Sequence, residues 1–489
     1  MSANRRKDFF RAKGFPRANS FLRTNSLLLA TLTGVALNAQ AAGTEYNLLE
    51  VYNLAQKNDA QLAAAKATMK ATQEVLPQSR AGLLPTIGLS ANTQYTKGSS
   101  ETSGADYDDN YNSYGWSASV NQPLLKMNSW YAVDKAKAES AQAESVYANE
   151  QQQLILRVSE AYFNVLRAED GLATAKVQEK AVKQQLDQAR ERFNVGLVAE
   201  TDVLEAQAAY DNARVSRILG ENQVSVAYEG LRTITNHDVT DIAKLEKEMP
   251  VTAPVPASSE EWVNQGVANN LSLKAAREGV DAAEEAVRAS KANHAPTVDA
   301  FASYSYNNSN SASAQAPVQV DGTSLTTTGK GTQAVVGLQF NLPIYSGGAT
   351  SSQVRQASYQ VEQAQQTYDN NLRVTNSNIR NLFRTVNSDV ERVDARCQGI
   401  TSSESALQAT RSGYEVGTRN ITDVLDAQQK LFSATGDYLN ARYDYIVNTL
   451  KLKQSAGTLS SEDLKELNSW MISSRGGEDL EVPAECRAK

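Results

Sequence analysis

The stretch FNVGLVAETDVLEA at residues 193–206 returns, with changes, as YEVGTRNITDVLDA at residues 414–427. Gly196 and Gly417 occupy the same position in the two copies, 221 residues apart. Two further pairs of segments match at similar spacings: LLPTIGLSANTQY at 83–95 with HAPTVDAFASYSY at 294–306, and WSASVNQPLL at 116–125 with VGLQFNLPIY at 336–345. An internal repeat this long predicts two related structural halves, joined at the Pro-rich segment 249–259.

Each half reads as a helix, two strands, a long helix, a turn and a second helix. The first half covers 42–235, with strands at about 85–97 and 112–125, a long helix at about 127–194 and a helix at about 199–233. The second half covers 259–457, with strands at about 296–308 and 332–345, a long helix at about 349–415 and a helix at about 420–456. A linker at 236–258 and a tail at 458–489 remain.

The strands alternate apolar residues with Gly, Ser, Asn and Gln. Their lengths approach the ~9–11 residues of a tilted transmembrane strand, and the alternation is typical of outer-membrane barrels. A soluble, half-buried sheet alternates in the same way. Aromatic residues near the strand ends favour the membrane, and these are Tyr95, Tyr107, Tyr111, Tyr114, Trp116, Tyr304, Tyr306 and Tyr345. The polar segments 99–110 and 307–332 are expected to be loops on the outer face.

The amino terminus has the pattern of an export signal. A basic region of seven Lys and Arg residues precedes the apolar run LLLATLTGVAL at 27–37 and the sequence AQA at 39–41. This pattern predicts a signal peptide at 1–41. No later segment is a candidate transmembrane helix, so any membrane-spanning part is expected to be a β-barrel.

Composition argues against several other kinds of site. Without residues 1–41, the 48 basic and 55 acidic residues fall by seven and one, leaving a net charge of −13, which argues against nucleic acid as a partner. His237 and His294 lie far apart, without metal-ligand spacing, and no metal or cofactor is expected. Cys397 and Cys486 leave one disulfide bridge possible but do not require it.

The long helices are predicted from uninterrupted sequence. Residues 127–193 contain no proline and one glycine, Gly171, and a helix of that length spans ~100 Å at ~1.5 Å per residue. In the last helix, apolar residues recur every seven positions, at Val424, Leu431, Tyr438, Tyr445 and Leu452. A strict seven-residue period predicts left-handed supercoiling.

Four strands cannot close a barrel by themselves. They would leave two edges with unsatisfied backbone groups in lipid, so the chain is expected to pool its strands with copies of itself. Two copies would give eight strands, a barrel that side chains fill, whereas three or more would leave a lumen.

The combination of motifs, in this order, resembles the TolC family of outer-membrane export channels. The resemblance covers nearly the whole mature chain and rests on FNVGLVAETDVLEAQAAYD, YEVGTRNITDVLDAQ, the strand entries PTI and PTV, the strand exits NQP and NLP, and ARYDYIVNTLKLKQSAGTL at 441–459. It implies an α+β membrane protein in the outer membrane, a homotrimer with a twelve-stranded barrel set in lipid. A helical coiled-coil tunnel would extend into the periplasm, with a belt formed by 236–258 and 458–489.

The same resemblance implies a function and partners. The family exports proteins, drugs and other toxic compounds, and is not enzymatic. Its members work with a periplasmic adaptor (membrane fusion) protein and an inner-membrane transporter of the ABC, RND or MFS class.

The repeated turns are the candidate site. Gly196 and Gly417 are expected to end the long helices, as C′ glycines do, at the periplasmic tip. Asp423 and Asp426 lie three residues apart, on one helix face. Stacked rings of carboxylates in a constriction favour cations, and the resemblance implies that these two acids line the narrow periplasmic entrance.

The resemblance also implies a gate latch formed by Tyr414, Arg419, Thr201 and Asp202, which would tie the inner helix pair to the outer pair when the entrance is closed. Opening would then be an iris-like movement of the coiled coils. The alternative is that these residues only cap and solvate helix ends.

Three other classes of protein share some of these features. An enzyme would use Asp423 and Asp426 as an acid/base pair, but no nucleophile, metal or histidine pattern accompanies them. A periplasmic adaptor shares helical hairpins but normally lacks two symmetrically placed strand pairs. A trimeric adhesin pools four strands per chain, but at its carboxy terminus.

Overall fold

The structure, a computed structural model, describes residues 45–102, 105–309, 317–320, 323–326, 329–472 and 486. The signal peptide predicted at 1–41 lies outside these residues. So do 310–316 of the predicted outer loop, and 473–485 and 487–489 of the predicted tail.

Four antiparallel strands form the main sheet, in the order β1-β2-β4-β7. The strands are β1 Thr86–Thr102, β2 Ala105–Leu125, β3 Lys244–Leu245, β4 Thr297–Ser309, β5 Pro317–Val320, β6 Thr323–Thr326, β7 Lys330–Asn341 and β8 Met471–Ile472. Each half supplies one hairpin, and the hairpins join where Trp116 of β2 pairs with Tyr306 of β4. Among the described strands, β1 and β7 have one neighbour each in this sheet.

The sheet exposes an apolar row on each of its two borders. Ile87 and Leu89 of β1 are 80% and 79% exposed, and Val336 of β7 is 84% exposed. Such side chains, repeating every second residue, lie on one face of their strand. The chain therefore presents apolar surface beside two strand edges that no other described strand pairs with.

Three predicted strand or loop boundaries were wrong. Segment 99–110 was expected to be a loop, but β1 and β2 continue through most of it, and Thr102 pairs with Ala105. Backbone pairing needs no apolar side chains, so a Ser- and Asp-rich run can extend a hairpin. Segment 307–332 contains the short β5–β6 hairpin. The last strand ends at Asn341 rather than near residue 345, two positions before Pro343, which has no N–H to donate.

Two long helical hairpins leave the sheet. The helices are α1 Leu48–Asn58, α2 Ala60–Gln73, α3 Val75–Ala81, α4 Met127–Asn194, α5 Glu200–Thr235, α6 Ser259–Asn269, α7 Leu271–Ala292, α8 Ala349–Glu415, α9 Ile421–Ser455 and α10 Ser461–Asn468. Hairpin α4–α5 belongs to the first half and α8–α9 to the second. None of the helices in the described ranges is long and apolar enough to cross a membrane.

The single helix expected before each strand pair is broken. Asp59 interrupts the first one, where its carboxylate accepts the Leu62 N–H at 2.5 Å. Asn270 interrupts the second, where its side-chain oxygen accepts the Leu273 N–H at 3.0 Å. Both residues start a new helix by satisfying a backbone N–H that has no partner within the helix.

Helix α4 changes partners along its length. Its first part packs against α7, where Ser145 donates to Glu278 at 2.7 Å. Its last part packs against α5, where the Arg217 Nε lies 2.7 Å from Glu179. Between them, Leu154, Val158 and other residues of α4 are fully buried in the main core. Beyond this level α4 packs with α5 and α8 packs with α9, and contacts between α4 and α9 join the two hairpins.

The linker and the tail meet at the main core. Strand β3 of the linker pairs with β8 of the tail, Leu245 opposite Met471. Farther along, Cys486 forms a disulfide bridge with Cys397 of α8, across 89 residues of sequence. The bridge that the sequence left open is therefore present.

Candidate functional site

Glycine closes both hairpin turns. Gly196 has φ +76° and Gly417 has φ +80°, a left-handed conformation that costs other residues free energy. The Gly417 N–H donates to the Tyr414 carbonyl at 3.1 Å, and the Gly196 N–H donates to the Phe193 carbonyl at 2.9 Å. Each glycine follows the last residues of a long helix, so both hairpins reverse at equivalent points of the repeat.

The helices that follow the two turns begin differently. Asn420 caps α9 by accepting the Asp423 N–H at 2.8 Å. The Asp423 carboxylate accepts the Asn420 N–H at 3.4 Å in return, which completes a capping box. Its counterpart in the first half, Ala199, caps α5 with no side chain. The second turn is therefore held more firmly than the first.

The two predicted ring acids are not equivalent. Asp423 is half-buried, belongs to the capping box, and has Oδ2 3.8 Å from the Arg419 Nη1. Asp426 is exposed, and within the described ranges no hydrogen bond or ion pair engages its carboxylate. A carboxylate at the first turn of a helix is stabilised by the partial positive charge there. Of the two carboxylates, Asp426 therefore has the charge that is less compensated by neighbouring groups.

Among the described residues, no hydrogen bond or ion pair joins one of the four predicted latch residues to another within one chain. Arg419, in the turn before α9, reaches Asp423 in the first turn of that helix. A side chain at Gly413 would collide with the Arg419 stem. Tyr414 instead lies under Arg192 of α4, whose guanidinium carbon is 4.9 Å from the ring centroid. Thr201 and Asp202 lie in the first turn of α5.

The contacts that do join the hairpins near their turns were not predicted. The Thr422 hydroxyl donates to the Glu205 carboxylate, and Arg192 covers Tyr414. The repeat could have pointed to the first contact. At the offset of 221 residues, Thr422 corresponds to Thr201 and Glu205 corresponds to Asp426, so both residues lie at positions already singled out as candidate site residues. Arg192 has no such signal, since its counterpart is Gly413.

A second polar cluster lies on α4, 24 residues before its end. Tyr443 of α9 donates to Asp170 at 2.6 Å, and Tyr228 of α5 donates to Glu169 at 2.6 Å. Burial raises the pKa of both carboxyl groups, although the two tyrosine hydrogen bonds oppose that rise. The pair holds α4 to one helix of each hairpin.

Within the described ranges, no group of three His, Cys, Asp and Glu residues is placed to hold a metal ion. The sites of interest are therefore the two turns and the cluster above them.

The sequence matches the family described as Outer membrane efflux protein over residues 51–237 and 262–458. The chain belongs to this family. The two matched ranges correspond to the two halves of the repeat, and together they cover most of the chain. The outer membrane efflux proteins are channel proteins of the outer membrane, and this chain is one of them.

Individual outer membrane efflux proteins support the assignment. The chain is 36% identical to the outer membrane protein TolC of Vibrio cholerae serotype O1, over 86% of this chain and 93% of that protein. It is 35% identical to TolC of Escherichia coli strain K12, over 90% of this chain and 88% of that protein.

The fold is also that of a solved structure with lower sequence identity. The outer membrane protein VceC of Vibrio cholerae superposes with a TM-score of 0.69 at 18% identity, over 84% of this chain and 96% of that one. The mixed architecture predicted from the repeat, with long helices and four main strands per chain, is confirmed.

Proposed function

We propose that three copies of the chain form a channel through which a cell exports proteins or small toxic compounds such as drugs, dyes and detergents. The observation that carries this is the main sheet, whose border strands β1 and β7 each have one neighbour among the described strands and carry exposed apolar side chains. Pairing β1 of one chain with β7 of the next satisfies both borders. Three chains then give twelve strands, enough for a barrel with an open lumen.

The long hairpins supply the rest of the passage. Six helical hairpins, two from each chain, continue the barrel as a tunnel of ~100 Å at ~1.5 Å per residue. The turns at Gly196 and Gly417 lie at the far ends of these hairpins, so they form the entrance. The assembly is completed by a periplasmic adaptor and an inner-membrane transporter of the ABC, RND or MFS class.

Asp423 and Asp426 form two rings of carboxylates at that entrance. Three-fold symmetry repeats each carboxylate three times, and such rings favour cations over anions. Because Asp423 is engaged by its own helix and by Arg419, Asp426 supplies the larger share of the selectivity. Arg419, Tyr414, Thr201 and Asp202 act as the latch that holds the entrance closed, with Arg419 available to an acid of a neighbouring hairpin once it leaves Asp423. Opening is an iris-like movement of the hairpins.

Ion selectivity in planar bilayers tests the proposal. The reversal potential of the wild-type channel in a salt gradient is expected to show a preference for cations. Asp423→Ala combined with Asp426→Ala is expected to reduce that preference, and Asp426→Ala alone to account for most of the reduction. An unchanged reversal potential in the double variant would remove the ring hypothesis.

Trimer formation is tested separately. An outer-membrane fraction that is not heated before electrophoresis is expected to show a band at the trimer mass, and heating is expected to convert it to the monomer. A chain that migrates as a monomer without heating, in a detergent that preserves other trimers, contradicts the assembly.

A further inference from the structure

The disulfide bridge holds the end of the chain between two helices. Cys486 is 2% exposed, and its carbonyl accepts the Thr401 hydroxyl at 2.8 Å. We call this residue and the side chains packed around it the carboxy-terminal anchor. The buried members of the anchor besides Cys486 are Val393 and Ile400 of α8 and Tyr438 and Ala441 of α9.

The anchor also reaches the linker between the halves. Val251 packs against both the main core and the anchor. The same stretch of linker is fixed to α9, because the Tyr445 hydroxyl donates to the Thr252 carbonyl at 2.9 Å. Cys486, the linker, α8 and α9 therefore converge at one level of the second hairpin.

The position of the anchor divides this hairpin into two parts. Cys397 lies 18 residues before Glu415, the last residue of α8, which corresponds to ~27 Å at ~1.5 Å per residue. Beside the anchor, Arg396 of α8 pairs with Asp437 of α9 at 2.9 Å. Above the anchor, the hairpin is packed against the linker and the main core. Below it lie the turn at Gly417 and the proposed selectivity rings.

We propose that the Cys397–Cys486 bridge restrains the gate by fixing the level above which hairpin α8–α9 cannot move. The inference rests on the proposed function, since it assigns the bridge a role in the opening of that entrance. The covalent bond keeps Cys486 on α8 whenever the hairpin shifts, and there Cys486 packs with Tyr438 and Ala441 of α9. Only the part below the anchor is then free to swing. Without the link, Cys486 can leave, and the helices can part at a higher level.

Single-channel recording tests the restraint on the intact trimer. Three proteins are compared: oxidised wild type, wild type reduced with a phosphine, and Cys397→Ser combined with Cys486→Ser. The phosphine gives two electrons to the S–S bond, and one water supplies the oxygen of the phosphine oxide and the protons of the two thiols. Thiol labelling verifies the reduction. We expect the last two proteins to share a conductance distribution shifted to higher values than that of the oxidised wild type. Identical distributions in all three proteins would overturn the proposal.

A matched variant distinguishes the effect of the covalent bond from the effect of the contacts around Cys486. Thr401→Val removes the hydroxyl that donates to Cys486 but leaves the bridge, and it is expected to behave as the oxidised wild type does. If Thr401→Val shifted the conductance as far as the double serine variant, the bridge itself would have no role.

Hydrogen exchange distinguishes failure of this inference from failure of the proposed function. Reduction is expected to speed amide exchange in α8 and α9 around Val393–Ile400 and Tyr438–Ala441 by roughly tenfold, since Cys486 is then no longer bonded to α8 and can leave its packed position. This readout needs no channel activity. If the oxidised wild type conducts but neither exchange nor conductance changes on reduction, only the bridge proposal fails. If the oxidised wild type forms no channel, the proposed function fails.

Discussion

The guanidinium group of Arg192 lies over the ring of Tyr414, 4.9 Å from its centroid. The two residues belong to different halves of the repeat, and each lies within about one helical turn of its tip glycine. The contact therefore joins α4 to α8 near the level where the proposed entrance closes. Both residues are partly exposed, and a cation over an aromatic ring contributes about 0.5–1 kcal/mol at exposed sites. A contact of this strength is suited to being released.

Loss of the Arg192–Tyr414 contact is expected to favour opening. Arg192→Gln and Tyr414→Leu should each raise the open fraction in bilayers, and together they should raise it by less than the product of the single effects. A coupling of about 0.5–1 kcal/mol corresponds to a factor of about 2–5. Tyr414→Phe retains the ring and should preserve the coupling. If the open fraction of the double variant equalled the product of the two single effects, the Arg192–Tyr414 contact would have no role in closing the entrance.

Weakening the proposed latch is expected to enlarge the closed-state conductance. Tyr414→Phe combined with Arg419→Ser should raise single-channel conductance, and Arg419 should supply most of the change because phenylalanine keeps the ring beneath Arg192. Arg288→Ser is the matched control, since Arg288 pairs with Glu285 in its own helix α7, far along the chain from either turn. Equal conductance in the double variant, the control and the wild type would contradict the latch.

Asn420 caps α9 with its side chain, whereas Ala199 at the start of α5 does not. Replacing each residue by the other is therefore expected to change the stability of the two helix starts in opposite directions. Asn420→Ala removes the cap of α9 and should destabilise its first turn by about 1 kcal/mol. Ala199→Asn places the same side chain at the start of α5 and should stabilise that turn by a comparable amount. Amide exchange at Asp423 and Asp202 measures the two effects. If both substitutions changed exchange in the same direction, the difference in capping would not explain them.

The buried pair on α4 predicts that stability falls as pH rises. Burial raises the folded-state pKa of Asp170 above its ordinary value of 3.8, so the folded protein favours the protonated acid. This contribution to stability is fully present below pH 3.8 and is lost as pH rises through the folded-state pKa. Thermal midpoints of wild type and Asp170→Asn should therefore diverge with rising pH, with the variant the more stable at neutral pH.

A tyrosine variant checks the sign of that effect. The Tyr443 hydroxyl lowers the pKa of Asp170 through its hydrogen bond, so Tyr443→Phe should raise the pKa further and enlarge the loss of stability at neutral pH. A midpoint difference between wild type and Asp170→Asn that is constant with pH would contradict the assignment to Asp170.

The fold was predictable where a regular pattern ran uninterrupted. The absence of proline and the seven-residue period of α9 indicated long helices, and alternation indicated the strands. The limits of β1 and β2 were missed because the Ser- and Asp-rich run after residue 98 has the composition of a loop. In that run the structure is determined by hydrogen bonds between the backbones of β1 and β2, which the pattern of side chains does not reveal. The breaks at Asp59 and Asn270 were missed because a single capping side chain decides each of them.

The sequence predicted where the candidate site lies in the chain, but it did not predict most of the side-chain contacts within the site. Duplication located both turns, and Asn420 and Asp423 have capping-box spacing, although Asp423 was interpreted mainly as a ring acid. The pairs Arg192–Tyr414 and Thr422–Glu205 depend on how two distant hairpins align, and no local pattern specifies that alignment. The Cys397–Cys486 bridge likewise spans 89 residues, so only the folded chain decides it.

The two borders of the main sheet have a genetic consequence. In the proposed ring, each chain uses β1 to complete one neighbour and β7 to complete the other, so no chain can compensate for a fault in a chain beside it. A proline placed in β1 at Leu89 would leave a normal neighbour's β7 incomplete as well. Alleles damaged on one border are therefore expected to be dominant when expressed together with the normal gene, whereas alleles that prevent the chain from being made are expected to be recessive.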